Sequence, residues 1–585
     1  MEKQLQVDRT RLRPDLIAGL TVAAIAVPQA MAYAQIAGLP PQYGLYTAFI
    51  LTALGSLFGS SSHLISGPTN AISLVVFSAF VVLEPSSTQT LSLPEKIQAM
   101  CLLTFLVGAI QILIALFKLG DLTRYVSESV LLGFMAGAGV LIALGQIGNL
   151  LGMHAQGDGH MSPLHRLWLT LRGGSIDPPS AWLGLGTLFG LVPLRLLKHR
   201  LTVPFPDLLI ALVLATAIAP LIGWEPRGGG LAVDPGLPAF EMPPILRFAW
   251  IQPLTGSAAA IAVLGLLEAV AVAKSIAART REKLDFNREC LGQGLANLGG
   301  SFFQCMPGSG SLTRSNINYQ AGAVSYWSGI LSALVVAAAL LLFAPLARYV
   351  PKPALAAILV VTGYRLIDRS RLAYCLRATR YDAVIALSTA FSAMFISVEL
   401  SILIGICVSF MLFVPRAARL QATELVIGPE RVVRERQPND PPCGSLALFS
   451  LEGELFFGAG PQLNEFLDML RQRVEQGVRI IILRLKRTRN PDMVCLEMLQ
   501  QFLEDMQDRK IPVLLCGIRP DFEQALRNLR FHHWLPRDYV FLEGVKMGSS
   551  TLEAVRRAYE LLGEDLCATC PQRDRREKQD WYYMI

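Results

Sequence analysis

Apolar runs, each close to the roughly 20 residues that a helix needs to cross a bilayer, tile this chain from about residue 16 to residue 414. About fourteen can be counted, several of them short or broken by Pro or Gly. The clearest occupy 97–117, 130–151, 182–197, 208–222, 258–278, 330–346 and 384–413, the last long enough for two tightly joined helices. Beyond Pro415 the pattern changes. Short apolar runs at 446–451, 479–485 and 512–516 read as buried strands, while 462–475, 492–507 and 521–529 read as amphipathic helices. Asn490, Pro491 and Asp492 make a helix start, with Asn490 as cap, Pro491 at the first helical position and Asp492 near the positive end. The expected architecture is an all-α polytopic membrane domain followed by a small α/β domain of about 120 residues, enough for one core. The expected boundaries are an N-terminal segment 1–15, a membrane domain 16–415, a linker 416–444, the α/β domain 445–565 and a charged tail 566–585.

Composition removes the soluble alternative. Of the 585 residues, 52% are hydrophobic and 17% charged, and the mean hydropathy is +0.43. The net charge of +7 is spread over short inter-span segments and the tail with no basic face interleaved with aromatics, which argues against a nucleic-acid partner. It reads instead as topology. Arg9, Arg11 and Arg13, then Lys118 and Arg124, then Arg195, Lys198 and Arg200, then Lys274, Arg279, Arg281 and Lys283, then Arg365, Arg369, Arg371, Arg377 and Arg380 mark alternate, cytoplasmic loops. The segments 84–94 and 224–244 are rich in Pro, Gly, Ser and acidic residues and are expected outside. Both termini then face the cytoplasm of a cell (inner or plasma) membrane. No small-residue cleavage site follows the basic start, so a removable signal peptide is not expected. The ten cysteines show no disulfide-like spacing, as suits a tail in a reducing cytosol.

Three polar islands interrupt the apolar runs. In the first, Pro28 sits mid-helix and frees a backbone carbonyl beside Gln29, Tyr33 and Gln35. The second, Ser66 to Asn70, places Pro68 just inside a helix start. The third, 306–316, is built of Gly, Pro and hydroxyls with Arg314. Open Gly and Ser backbone leading into a short helix leaves the first N–H groups unpaired, and a guanidinium adds a full charge to their partial one: an anion site. At membrane depth such backbone survives only where protein or a water-filled cavity surrounds it. Broken helices in two halves of a chain are also the sign of an inverted-repeat transporter with a midplane site. The plainer reading of Pro28 and Pro68 is a kink or loop start.

Glu268 lies in an otherwise apolar span, where an ionised carboxylate costs about 2.5–3.5 kcal/mol on insertion scales. It must be protonated, paired or open to a cavity, and each state suits a group that carries a coupled proton. The structural alternative is an interhelical hydrogen bond or an ion pair with a neighbour such as Arg314, itself readable as a cytoplasmic loop arginine. Other signals are weak. Cys567 and Cys570 form a lone CxxC, and His154, His160 and His165 share one external loop without zinc spacing. No metal or cofactor is expected, and no P-loop, nucleophile elbow or paired-carboxylate motif recommends an enzyme.

Several segments together resemble the sulfate permease family (SulP, related to solute carrier family 26): Arg13 to Thr21, Val27 to Ala34, Pro41 to Tyr46, Ser66 to Thr69, Leu267 to Val272 and Thr313 to Gly322. The resemblance covers nearly the whole chain. It implies a seven-plus-seven inverted repeat of fourteen spans divided into core and gate, a homodimer, and a cytoplasmic STAS domain in the tail. It places an anion between the starts of the third and tenth helices, near Pro68 and Ser311. Gln29 and Tyr33 would line that site from the first helix, Thr69 and Asn70 from the third, and Ser311, Thr313 and Arg314 from the tenth. Glu268 falls where plant-like sulfate/proton symporters carry glutamate, whereas sodium-coupled bicarbonate relatives tend to carry aspartate. The tail departs from the family at the Asp-x-Ser-Gly turn, which reads here as Asp492, Met493, Val494 and Cys495. The missing hydroxyl argues against phosphorylation there and leaves folding, dimer contacts or partner binding as its role.

The leading expectation is a secondary anion transporter that imports sulfate or a related oxyanion with protons, by an elevator-like movement of core against gate. Its partners are the anion, the co-transported proton, the lipid bilayer and a second copy of the chain. The nearest alternatives are bicarbonate, dicarboxylate or chloride transport, by exchange or with sodium, because helix ends and an arginine bind anions generically. A membrane-anchored anion sensor is the alternative from another class.

Overall fold

The computed structural model describes residues 9–84, 91–118, 127–153, 163–200, 206–224, 236–347, 349–427, 432–440, 443–543, 549–563 and 582–583. It divides into two compact units, Met1–Ser409 and Phe410–Ile585. The first half of the helical unit contains α1 (Arg9–Ile36), α2 (Pro41–Phe58), α3 (Asn70–Leu83), α4 (Leu93–Leu116), α5 (Glu128–Gly145), α6 (Ile147–Leu150), α7 (Pro163–Gly173), α8 (Pro178–Arg200) and α9 (Asp207–Ile218). The second half contains α10 (Phe248–Thr280), α11 (Phe286–Ser301), α12 (Leu312–Gln320), α13 (Trp327–Ala347), α14 (Lys352–Leu366), α15 (Arg369–Ala378), α16 (Arg380–Phe395) and α17 (Val398–Ala417), the last running past the boundary. Two-residue strands, β1 (Ser66–Gly67) and β2 (Ser309–Gly310), precede α3 and α12.

Five of the described helices are long and apolar enough to cross a bilayer outright, among them Leu93–Leu116 and Phe248–Thr280. By contrast, α3 and α12 have 14 and 9 residues. At 1.5 Å per residue they reach about 21 Å and about 14 Å, short of the roughly 30 Å hydrocarbon core. Each begins part-way through the membrane unit, after its strand.

Helix packing reveals the repeat. α1 packs on α12 and α13, and α10 packs on α3 and α4; α2 meets α13, and α11 meets α4; α5 meets α16, and α14 meets α8. Exchanging α1, α2, α3, α4, α5, α8 and α9 for α10, α11, α12, α13, α14, α16 and α17 maps the first contact of each pair onto the second. Two sets of seven helices therefore interdigitate, with α6, α7 and α15 as short additions. The α4–α11 contact is backbone on backbone: a Cβ on Gly108 would lie 2.4 Å from the amide nitrogen of Leu298. Tight small-residue contacts of this kind replace the hydrophobic drive that is missing between helices in lipid.

The second unit contains β3 (Gln421–Ile427), β4 (Val432–Glu435), β5 (Leu446–Glu454), α18 (Gly460–Glu475), β6 (Ile480–Arg489), α19 (Met493–Asp508), β7 (Val513–Ile518), α20 (Pro520–Asn528), β8 (Val540–Leu542), α21 (Ser549–Leu562) and β9 (Tyr582–Tyr583). They form a seven-stranded sheet in the order β8-β7-β6-β5-β3-β4-β9. Strands β5 to β8 are parallel, and β3 pairs antiparallel with both β4 and β5. Along β6, Ile481, Leu483 and Leu485 face the core shared with α18, α19 and α20, while Ile480 and Ile482 face α21. Burial on both faces is why this strand reads as a continuous apolar run.

Four expectations are corrected. The segment expected as a linker, 416–444, supplies β3 and β4, because Gln421 to Leu425 pair in register with the edge of β5. The cap of α19 is Asp492, not Asn490: Asp492 accepts from the Cys495 amide at 3.0 Å, and Asn490 adopts φ +48° before it. A carboxylate there satisfies the free N–H and also meets the positive helix end. His165 lies on α7, packed against Trp168, rather than in a loop. In the second island, Thr69 caps α3, so Pro68 lies outside the helix. His154, His160, Cys567 and Cys570 fall outside the described residues.

Two outcomes follow for purified full-length protein. Gly108→Ala, by overpacking, lowers stability by about 1–3 kcal/mol, read as a lower melting temperature of the membrane unit. Asp492→Ala costs the second unit about 1 kcal/mol, read as earlier denaturant unfolding of that unit.

Candidate anion-binding site

Strands β1 and β2 pair antiparallel, Ser66 opposite Gly310 and Gly67 opposite Ser309. The ladder is extended by the Ser311 amide, which donates to the Ile65 carbonyl at 2.9 Å. Immediately beyond this crossing, both chains turn into helices. Thr69 caps α3, its hydroxyl accepting from the Ile72 amide at 3.4 Å, and Ser311 caps α12, accepting from the Arg314 amide at 3.5 Å. Pairing therefore brings the positive ends of two half-helices, one from each repeat, to one place.

Arg314 is fully buried. Its Nη2 donates to the Pro68 carbonyl at 2.9 Å, while Nε and Nη1 have no hydrogen-bond partner. The guanidinium lies against Gly67, where a Cβ would be 3.0 Å from Nη1, 3.1 Å from Nη2 and 3.3 Å from Cζ. Gly67 also has φ +142°, a backbone that side chains rarely adopt. Glycine is thus required twice over.

Glu268, on α10, is buried and accepts from the Thr69 hydroxyl at 3.3 Å. The ion pair with Arg314 allowed by the sequence is not the arrangement found: each group takes a partner from the Pro68–Thr69 turn instead. Tyr33, Glu268 and Arg314 nevertheless lie near enough to interact electrostatically. Tyr33 is buried on α1, and so is Gln29, whose Oε1 has no partner. Asn70 is buried at the start of α3 with its Oδ1 taken by the Ala71 amide at 3.0 Å. Ser311 is half-buried and Thr313 exposed. The structure thus ties Arg314 and Glu268 to the two residues of one turn, Arg314 to Pro68 and Glu268 to Thr69, sets Tyr33 within electrostatic reach, and commits the side chains of Asn70 and Ser311 to local backbone. An uncompensated buried guanidinium with two free donors, flanked by two helix N-termini, has the chemistry of an anion receptor. Among the described residues, no group of three or more His, Cys, Asp or Glu side chains that could hold a metal ion occurs.

Residues 12–389 match the sulfate permease family, and residues 437–543 match the STAS domain. The chain belongs to the sulfate permease family. Among its relatives, the putative sulfate transporter YvdB of Bacillus subtilis (strain 168) is 28% identical over 539 residues, spanning 91% of this chain and 96% of its own. The murine Solute Carrier 26 family member A9 anion transporter, in its inward-facing state, superposes with a TM-score of 0.85 over 95% of this chain and 92% of that one at 19% identity, a likeness of fold. The transmembrane domain of the cyanobacterium bicarbonate transporter BicA matches 69% of this chain and 98% of its own, with a TM-score of 0.59 and 26% identity. This sulfate permease family member is accordingly a multi-pass membrane anion transporter with a C-terminal STAS domain.

In this permease family member the candidate site also depends on residues that the sequence did not single out. Gly67 supports the guanidinium, and the Ser309 hydroxyl donates to the Gly265 carbonyl, tying β2 to the helix that carries Glu268. The signal for Gly67 was a glycine directly before Pro68, indistinguishable in one dimension from an ordinary turn glycine. Gly67→Ala should push the Arg314 guanidinium away from the Pro68 carbonyl. Sulfate affinity, measured by titration calorimetry on the purified protein, is expected to fall on the order of tenfold, the equivalent of about 1.4 kcal/mol.

Proposed function

We propose that this protein is a proton-coupled importer of sulfate or a related divalent oxyanion. The observation that carries the reading is the convergence of the α3 and α12 N-termini on Arg314, with Glu268 one hydrogen bond away through Thr69. Each helix end supplies about half a positive charge and Arg314 a full one, so about two positive charges meet at the turn. That balances a dianion. An ionised Glu268 would subtract one charge and disfavour the dianion, whereas a neutral carboxyl would not. By linkage, the anion promotes protonation of Glu268 and the proton promotes anion binding, which is the thermodynamic requirement for symport.

In this reading, the Arg314 Nε and Nη1 donors, the α3 and α12 amides and the hydroxyls of Tyr33, Ser311 and Thr313 replace the hydration of the anion, and Gln29, Thr69 and Asn70 complete its surroundings. The units α1–α4 and α10–α13 form the core, which carries the site past a gate made by the remaining spans in an elevator-like movement. The protein works as a homodimer in the inner or plasma membrane with both termini cytoplasmic. The sulfate transporters among its relatives support the substrate. The likeness to BicA favours a second reading, bicarbonate transport, which differs in charge: a monoanion needs one positive charge fewer and no proton on Glu268.

Proteoliposomes separate the two. Wild-type protein is expected to accumulate labelled sulfate faster as external pH falls against a fixed interior. In Glu268→Gln, proton-driven accumulation drops at least about tenfold and loses its pH dependence, while downhill sulfate exchange persists. Unimpaired proton-driven accumulation in Glu268→Gln would sink the coupling role. Uptake competed by bicarbonate and not by sulfate would favour the second reading.

A further inference from the structure

We propose that one polar face of α11, formed by Glu289, Gln293 and Asn297, is the positioning device for the anion site. This inference rests on the site reading above and adds residues that touch no anion. The three side chains recur at four-residue spacing, so they share one face of the helix, and all three are buried. Each grips a different part of the crossing. Glu289 accepts from the amides of Ser60 and Ser61 at 2.8 and 3.0 Å, on the approach to β1. Gln293 donates to the Ser66 hydroxyl within β1 at 2.9 Å, and to Glu289 at 3.2 Å. Asn297 accepts from the Gly308 amide at 2.9 Å and donates to the Gly308 carbonyl at 3.0 Å, on the approach to β2, and it donates to Gln111 of α4 at 2.9 Å.

The Asn297 amide thus does what a neighbouring strand would do, offering one acceptor and one donor to the N–H and C=O of a single residue. Irregular backbone inside a membrane domain has unpaired N–H and C=O groups that lipid cannot satisfy. The α11 face satisfies them on both crossing chains at once. Because Gln293 and Asn297 lie one turn apart on a rigid helix, they also fix the position of β1 relative to β2, and so of the α3 cap relative to the α12 cap. α2 supports the same crossing with hydroxyls alone: Thr47 accepts from the Met306 amide at 2.9 Å, and Thr52 donates to the Ser66 carbonyl. This side-chain ladder of Glu289, Gln293 and Asn297 therefore sets the spacing of the two half-sites between which the anion is held, and it keeps them together as the core moves.

The test uses full-length protein in nanodiscs, with sulfate as the probe and calorimetry and melting temperature as readouts. Gln293→Leu and Ser66→Ala are each expected to weaken sulfate binding about fivefold to tenfold, the range of one hydrogen bond. The double variant is expected to be no weaker than the worse single one, because both remove the same link. Their melting temperatures without sulfate stay near that of the wild type. In transport, the sulfate KM rises while the maximal rate changes less than about twofold, a split that general loss of folded protein does not produce. Asn297→Leu is expected to have a larger effect and Asn297→Asp, which keeps the acceptor for Gly308, a smaller one. If Gln293→Leu binds sulfate within twofold of the wild type, or if the two single effects multiply in the double variant, the ladder does not position the site. Arg314→Gln separates this failure from failure of the site itself: sulfate binding lost there but untouched in the ladder variants overturns only the ladder, whereas binding untouched by Arg314→Gln overturns the site.

Discussion

Four residues, Ser66 and Gly67 opposite Ser309 and Gly310, hold together what the rest of the membrane unit is arranged to protect. A bilayer interior offers no water to a broken helix, so each N–H and C=O exposed by the break must find a partner within the protein. The crossing pairs some of them with each other. Others are met by the hydroxyls of α2 and by Glu289 and Asn297 of α11, and Asn297 also donates to Gln111 of α4, whose own amide donates to the Ala262 carbonyl of α10. The helix that bears Glu268 is thereby tied into the same frame. Polar side chains inside the membrane are expensive alone, but Thr47, Thr52, Glu289 and Asn297 are partnered here by backbone that would otherwise be expensive too.

The second constraint is electrostatic. Arg314 and Glu268 are buried groups of opposite character on different helices, yet the structure gives each a partner from Pro68 and Thr69 in place of the other. A direct pair would satisfy both groups internally and leave neither free for an anion or a proton. The turn between β1 and α3 acts as the spacer, and Gly67 lets the guanidinium rest against it without a Cβ in the way. The same short segment thus pairs with the opposite repeat, caps a helix and separates two charges.

Much of the fold was legible in one dimension because it depends on local pattern. Apolar runs at 97–117, 258–278 and 384–413 became α4, α10 and the α16–α17 pair, and the strands and helices from β5 to α20 lie within a few residues of their expected places. Misreadings occurred where a local rule had two valid solutions. Asn490, Pro491 and Asp492 hold two cap residues, and only the meeting of Asp492 with the Cys495 amide decided between them. The strands β3 and β4 were invisible because their pattern is mixed, most of their side chains being only half-buried, and they exist by pairing, β3 with the edge of β5 and β4 with β3. α11 carries too many polar residues to read as a span, although Glu289, Gln293 and Asn297 among them are buried against the crossing and its approaches.

By itself the sequence determined that this is a polytopic membrane protein with an α/β tail, and it singled out two Gly- and Pro-rich breaks and one buried-span arginine as the place to look for an anion. These follow from hydropathy, helix-breaking chemistry and the cost of burying charge, all of which act within a few turns of chain. Tertiary structure alone decided that the breaks meet as a two-stranded crossing, that Arg314 reaches the carbonyl of Pro68 across 246 positions, and that Glu268 hydrogen-bonds to Thr69 rather than pairing with the arginine. Those contacts join the two halves of the chain. They depend on how two seven-helix repeats interdigitate, a three-dimensional symmetry that leaves no periodic trace in the order of the residues.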